Sequence, residues 1–346
     1  VTRPVFSEAL SCLASAIGLS FIVSLLLVGL CLRLSKKLRV YALPGERQCH
    51  SGSIPTGGGT GLIAAVALVS LLLPLCPSGE VDMAASQPWL HWVLPGAVFL
   101  SMIGWLDDRR PVSPLLRFIV QLAVSFGLIA LLRGAGLDWS WMQFVVGGIM
   151  VVWLMNLYNF MDGSHGMAGF EGLFVSTVFA VLAWQAGNVF VAAMAGIVAA
   201  ACAGFLPWNF PAPKIFMGDA GSVPVGFMLG ALVLIGGITS SLPLPLAVLA
   251  LSVFLVDSSL TLSRRVIRGE RWYTPHAQHI YQRLIAQGWS HSRVLGAYQA
   301  LNLVVVVPAI VLAEKLPAQA WLITGVVLSV MSAGWLVASS RLEMRS

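Results

Sequence analysis

Residues 150–172 read MVVWLMNLYNFMDGSHGMAGFEG, and the fold follows from how this stretch changes character along its length. Its first six residues are apolar and continue a run that begins near residue 141. Asn156, Asn159 and Asp162 then interrupt that run at a spacing of three, a glycine-rich turn follows, and a second apolar run starts near residue 168. At about 100° per residue, positions i, i+3 and i+6 drift by only about 120° in all, so the two amides and the carboxylate share one helix face. The stretch therefore reads as a helix leaving a bilayer, a polar face at its end, and a turn that sends the next helix back in. Amides and an acid at a membrane boundary are costly unless they serve a ligand or a pathway. The competing reading is a helix end whose Asn and Asp cap themselves in water.

The rest of the chain supports the membrane reading. Apolar residues make up 58% of it and charged residues 10%, a balance that excludes an ordinary soluble core of this length. Apolar runs of about 17 to 22 residues fall near 13–34, 58–76, 89–106, 115–133, 141–158, 168–186, 188–206, 222–238, 243–262, 294–313 and 319–338. The fold class expected is thus an all-α, polytopic integral-membrane bundle of about eleven helices. With no internal repeat, long linker or low-complexity tract, residues 1–346 read as one domain.

Cations set the expected orientation. Arg33, Lys36, Lys37, Arg39 and Arg47 follow the first span; Arg109, Arg110 and Arg117 the third; Lys214 the seventh; six arginines from Arg264 to Arg293 the ninth; Arg341 and Arg345 lie near the C-terminus. Only Arg3, Arg133 and Lys315 lie on the other side. The positive-inside rule then places the N-terminus outside and the C-terminus in the cytoplasm. The net charge of +6 has a topological origin, and nucleic acid is excluded as a partner. The first span is too long and lacks the basic flank of a cleaved leader, so it is expected to be retained. Cys12, Cys31, Cys49, Cys76 and Cys202 are scattered and odd in number, which reads as small core residues, neither a disulfide framework nor a metal site.

Four polar segments fall on the predicted inner side besides the basic loops. His50 precedes the cluster Gly57 to Gly59, where bare backbone at a helix start would suit either an anion or close helix packing. The third span ends in GWLDDRRPVSP; Asp107 and Asp108 are more than the positive-inside rule needs, and a carboxylate pair suits Mg²⁺, which takes hard oxygen ligands and completes its shell with water and phosphate. Between the seventh and eighth spans, PWNFPAPKIFMGDAGSVPVG offers Asn209, Phe216 as a stacking or anchoring ring, and Asp219 as a ligand or helix cap. His276 and His279 with several arginines form a basic loop suited to phosphate more than to a transition metal. Asp257 falls seven residues before Arg264 on the same helix face and reads first as half of a structural ion pair.

These segments, HSGSIPTGGG, GWLDD, NLYNFMDG, NFPAPKIFMGDAGS and QHIYQRL, together resemble the polyprenyl-phosphate N-acetylhexosamine-1-phosphate transferases, the MraY/WecA superfamily, over residues 45–290. The resemblance implies transfer of a sugar 1-phosphate from a UDP-N-acetylhexosamine-type donor to undecaprenyl phosphate in a bacterial inner membrane, with Mg²⁺ or Mn²⁺ as cofactor and the site cytoplasmic. It further implies Asp219 and Asp108 as metal ligands, with Asp107, Asp108, Asp162 and His279 as the catalytic set. The substrate-binding set it implies is His50, Asn156, Asn159, His165, Asn209, Phe216 and His276. It leaves a homodimer open as a partner state. Two departures stand out. Asp162-Gly-Ser-His165-Gly replaces a DGxDG pattern, and Ile, Tyr281 and Gln282 follow His279 where many relatives carry further histidines. Both look closer to the WbpL-like O-antigen initiators than to the peptidoglycan-precursor enzymes, which stay as the alternative. A lipid or sugar transporter would favour ionisable groups near the midplane and paired repeats, and neither is visible here.

Overall fold

The structure is a computed structural model that describes residues 3–38, 41, 54–73, 87–134, 140–271 and 276–343. Ten helices in it are long and apolar enough to cross a membrane. In chain order, with one shorter apolar helix and one short interfacial helix, they are α1 (Arg3–Leu38), α2 (Gly58–Leu72), α3 (Trp89–Asp107), α4 (Pro114–Gly134), α5 (Trp141–Phe160), α6 (Met167–Gln185), α7 (Val189–Asn209), α8 (Asp219–Ile238), α9 (Leu244–Ile267), α10 (Ile280–Ala286), α11 (His291–Lys315) and α12 (Pro317–Glu343). Each of the eleven spans read from hydropathy coincides with one of these; α2 is shorter than a full crossing over its described residues. No strand occurs among the described residues beyond a single bridge between Tyr41 and Pro55. The chain is a multi-pass, all-α membrane protein.

The bundle is built around α7 and α8, each 89% buried over its most apolar window, while α12 is only 17% buried and forms part of the rim. Large apolar side chains such as Leu115, Met142, Val304 and Leu322 are exposed on the outside, the reverse of a soluble surface and the expected state where lipid is the solvent. Inside, small residues and single hydrogen bonds hold helices together. Ser20 and Ser24 of α1 donate to the Ile197 and Ala201 carbonyls of α7 at 2.8 and 2.7 Å.

Three glycines decide where the polar helix ends meet. A side chain at Gly59 would collide with the Gly221 backbone, one at Gly104 with the Asp219 and Ala220 backbone, and one at Gly226 with the Leu154 carbonyl and Met155. These close approaches pack the starts of α2 and α8, the end of α3 and the last third of α5 against one another. Gly58 and Gly59 give their N–H groups to the Phe216 and Met217 carbonyls at 2.9 and 3.0 Å. Of the two readings of this cluster, packing is therefore the one observed at these two residues.

Two other expectations are corrected. Cys12 is disulfide-bonded, whereas Cys31 and Cys202 are free; scattered spacing carries no information about which thiols tertiary structure brings together. Arg264 pairs with Glu343 and donates to Ser339, leaving Asp257 to partners from other helices, because α9 packs against α12 at this level.

Candidate active site

The end of α3 carries Asp107 and Asp108 to one edge of a polar cluster, the start of α8 brings Asp219 to its centre, and the end of α5 supplies Asn159 and Asp162. Arg117, one turn into α4, lies between two of these acids. Its Nη1 donates to Asp107 Oδ2 at 2.6 Å and to Asp219 Oδ2 at 3.0 Å. Asn159 Nδ2 donates to the other Asp219 oxygen at 2.6 Å and to Ser222 Oγ at 3.1 Å. Asp108 Oδ2 accepts from Thr56 Oγ1 at 3.3 Å and its Oδ1 from the Asp219 N–H at 3.4 Å, while Asp107 Oδ1 accepts from the Val112 N–H at 2.6 Å.

Charge does not balance here. Asp107, Asp108, Asp162 and Asp219 interact electrostatically with one another and share one guanidinium. Loss of hydration, reinforced by the charge of Asp219, holds the Asp108 carboxyl well above its ordinary pKa. The same cause, with Asp219 and then Asp108 adding to it, raises Asp162, and a hydrogen bond from the Gly218 backbone only partly opposes the shift. Such clustering of like charges is a recurrent mark of functional sites.

Beside this cluster a cavity of about 430 Å³ runs between α3, α4, α5 and α8. Its walls include Leu100, Leu115, Phe118 and Val223, and its polar end is formed by Arg117, Asn159 and Asp219. Asn156, which donates to Gln121 Oε1 at 2.7 Å, adds a second polar patch within it. An apolar trough that ends in a guanidinium, an amide and a carboxylate suits an amphiphile with an anionic head.

The remaining expected residues lie around this centre. Phe216 is half-buried, 6.0 Å from the His165 ring. His165 stacks on His291 at 3.8 Å and 10°, and Ser164 Oγ is 2.9 Å from His291 Nδ1. Asn209 is buried, accepts from the Gly166 N–H at 2.6 Å and donates to the Ile215 carbonyl at 3.0 Å; it ties the glycine turn to the Phe216 loop. His276 and His279 each lie 6.1 Å from the Phe160 ring, and Tyr281 Oη donates to the Phe160 carbonyl at 2.9 Å, docking the histidine loop on the end of α5. His50 lies outside the described residues.

Sequence reasoning missed Arg117, Thr56, Gln121, Ser222 and His291. Arg117 was readable: a cation a full turn inside an apolar span needs a partner, and counting it only toward topology overlooked that. His291 carries no such mark, since the first turn of α11 meets the 162–166 turn only through tertiary folding.

Among the described residues, no three His, Cys, Asp or Glu side chains converge on one point as a ready-made metal cage, in keeping with Arg117 standing between Asp107 and Asp219. The donor chemistry nonetheless fits Mg²⁺, which needs only one or two carboxylates alongside water and substrate phosphate, and the excess of carboxylates over cations gives a divalent ion a reason to bind.

A multi-pass helical protein with an acidic cluster at the polar end of an apolar trough defines a membrane enzyme acting on an amphiphilic phosphate. The family model for glycosyl transferase family 4 matches residues 90–237. The chain is 29% identical over 317 residues to a probable undecaprenyl-phosphate N-acetylglucosaminyl 1-phosphate transferase of Bacillus subtilis, covering 86% of this chain and 85% of the relative. It is 31% identical over 315 residues to the decaprenyl-phosphate N-acetylglucosaminephosphotransferase of Mycobacterium leprae, covering 79% and 77%. It is also 28% identical over 325 residues to the phospho-N-acetylmuramoyl-pentapeptide-transferase of Geobacillus kaustophilus, covering 83% and 94%. The chain belongs to glycosyl transferase family 4, in the superfamily that holds these polyprenyl-phosphate sugar-phosphate transferases.

Proposed function

We propose that this protein transfers an N-acetylhexosamine 1-phosphate from a UDP-sugar to a polyprenyl phosphate, releasing UMP and leaving a polyprenyl-diphosphate sugar. The observation that carries the reading is the trough whose polar end is Arg117, Asn159 and Asp219: its walls suit the prenyl chain and its end suits the phosphate. Undecaprenyl phosphate is the acceptor favoured, and an O-antigen or related surface glycan the product line.

An oxygen of the lipid phosphate attacks the phosphorus that bears the sugar. A new P–O bond forms there, the bond from that phosphorus to the bridging oxygen breaks, and UMP leaves with its electron pair. Arg117 neutralises phosphate charge, and Asn159 with Asp107 fixes the position of that guanidinium and of Asp219. Asp219 and Asp108 are the residues that would hold Mg²⁺, and the chemistry it supplies when bound is charge neutralisation on the donor diphosphate. Phe216 and the facing His165 and His291 rings offer planar surfaces to the base. The positive-inside rule favours a cytoplasmic position for this whole cluster, with the bacterial inner membrane as the location.

Membranes holding the protein, given polyprenyl phosphate and each of several UDP-N-acetylhexosamines, are expected to form a lipid-linked sugar diphosphate and UMP, identified by mass spectrometry. Failure to form that lipid with any of these donors, from protein shown to be folded, would overturn the reading.

A further inference from the structure

Asp257 sits in α9, 3% exposed, in a span where an isolated carboxylate would be expensive. It is far from isolated. Its Oδ1 accepts from the Ile280 N–H at 3.1 Å, from Trp335 Nε1 at 2.9 Å and from Thr261 Oγ1 at 3.2 Å, and its Oδ2 accepts from Tyr298 Oη at 2.7 Å. The donors come from α9 itself, the start of α10, α11 and α12. Four donors from four elements aimed at one carboxyl describe a site built for the ionised form.

The fifth neighbour is His279, 2% exposed, whose Nδ1 lies 3.9 Å from Asp257 Oδ1. The remaining groups around it are the His276 ring at 5.1 Å, the Tyr281 ring at 5.9 Å and the Phe160 ring at 6.1 Å. Along α9 the next charge is Arg265, which is already paired with Glu270 at 3.1 Å. Asp257 is therefore the carboxylate nearest the imidazole, and the residue it hydrogen-bonds through the backbone, Ile280, is the next one along the chain.

We propose that Asp257 is the positioning residue of the histidine loop. It fixes residue 280 in place, turns His279 so that Nδ1 faces the carboxylate and Nε2 is the atom left for substrate phosphate, and raises the basicity of the ring. An imidazolium at this position is a hydrogen-bond donor of fixed direction. The role of His279 in transfer rests on the transferase reading above; the coupling of Asp257 to His279 does not.

The test therefore has two readouts. Protein labelled with ¹³C at histidine Cε1, in detergent, is titrated by NMR, and the His279 signal is assigned from its loss in His279→Gln. Asp257→Asn is expected to move the His279 midpoint to lower pH, because a neighbouring negative charge is removed. Tyr298→Phe, which deletes one donor and keeps the ring, is expected to move it less than Asp257→Asn does, and supplies the comparison should the Asn variant fail to fold. An unmoved His279 midpoint in the folded variants overturns the proposal whatever the protein's activity.

In turnover, Asp257→Asn is expected to lower kcat about tenfold or more with a smaller effect on KM. The pH limb that vanishes in His279→Gln should shift to lower pH, and the double variant should lose little beyond the worse single one. Losses that multiply independently, or a pH profile identical to wild type in Asp257→Asn, also overturn it. Absence of any transfer by the wild type would instead count against the transferase reading, while the NMR titration still decides the coupling.

Discussion

Arg117 and Asp219 meet at 3.0 Å across 102 residues of sequence, and this ion pair joins the apolar trough to the acidic cluster. Arg117 also holds Asp107 at 2.6 Å, so its charge is shared between two carboxylates and offered to a third anion in the cavity. Arg117→Lys keeps the charge but not the planar fork that spans two partners. Turnover in this variant is expected to fall about 100-fold, in the range seen when one preorganised charge-stabilising donor is lost. Both side chains are about a quarter exposed, so little change in thermal midpoint should accompany it. A variant with wild-type kcat and raised KM for donor and acceptor alike would show that Arg117 only binds.

Metal dependence should be visible without turnover as well as with it. Asp219→Asn is expected to abolish transfer while the protein stays folded, because the carboxylate lies at a helix end and outside the core, and EDTA should abolish transfer by the wild type. Millimolar Mg²⁺ should raise the thermal midpoint of the wild type more than that of Asp219→Asn. Equal shifts in the two, or full activity in EDTA, would remove Asp219 from the metal site.

The raised carboxyl of Asp162 gives a signed pH dependence. Its folded-state pKa is above that of the unfolded chain, so its contribution to stability is fully present below the ordinary carboxylate pKa. That contribution is lost as pH rises through the raised value. Asp162→Asn is therefore expected to raise the apparent midpoint at neutral pH by roughly 1–3 °C while lowering activity, and the gain should vanish as pH is lowered. Thermal scans in detergent from pH 4 to 8 check it; a gain independent of pH would mean the carboxyl is not strained by its surroundings.

Much of this was readable in advance, and the reasons are physical. Span length and hydropathy are dictated by bilayer thickness, so all eleven segments from residue 13 to 338 were found. The acids were legible because a charge at a helix end in an apolar chain is costly and so needs a use. What resisted was anything decided by two helices meeting. Asp257 reads in sequence as a partner for Arg264, and only the packing of α9 on α12 sends Arg264 to Glu343 and Trp335 to Asp257. Asn209 reads as a ligand for a base, yet its amide ties two loops together, because spacing does not reveal which way a loop residue faces.

The glycine contacts make a packing prediction. Gly104→Val would place a methyl-bearing carbon against the Asp219 backbone, which should destabilise by about 1–3 kcal/mol and displace Asp219 from Arg117. Gly237→Val has open space at its β position and serves as the control. Equal midpoints and equal turnover in the two variants would mean α3 and α8 do not approach as closely as described.

Orientation has its own check. Single cysteines placed beside Asp107, Asp162, Asp219 and His279 are expected to react with an impermeant reagent only when the cytoplasmic face is opened, as the cation asymmetry requires. Labelling from the outer face at any one of them would separate residues that the site needs together.

The last question is whether the enzyme forms a covalent intermediate. A two-step route needs a carboxylate with a free oxygen to attack the donor. Asp107 has its oxygens on Val112 and Arg117, Asp108 on Asp219 and Thr56, and Asp219 on Asn159 and Arg117. Each is held as a hydrogen-bond acceptor, which lowers nucleophilicity, and Asp108 and Asp219 are also the residues proposed to hold Mg²⁺. The acceptor lipid already carries a phosphate oxygen able to attack without covalent help. Direct displacement follows, with positioning and charge neutralisation as the protein's contribution. Enzyme mixed with UDP-sugar but no polyprenyl phosphate is therefore expected to release no stoichiometric burst of UMP and to carry no labelled sugar phosphate. A burst equal to the enzyme concentration, with label trapped on Asp107 or Asp108, would reverse the assignment and make that carboxylate the nucleophile.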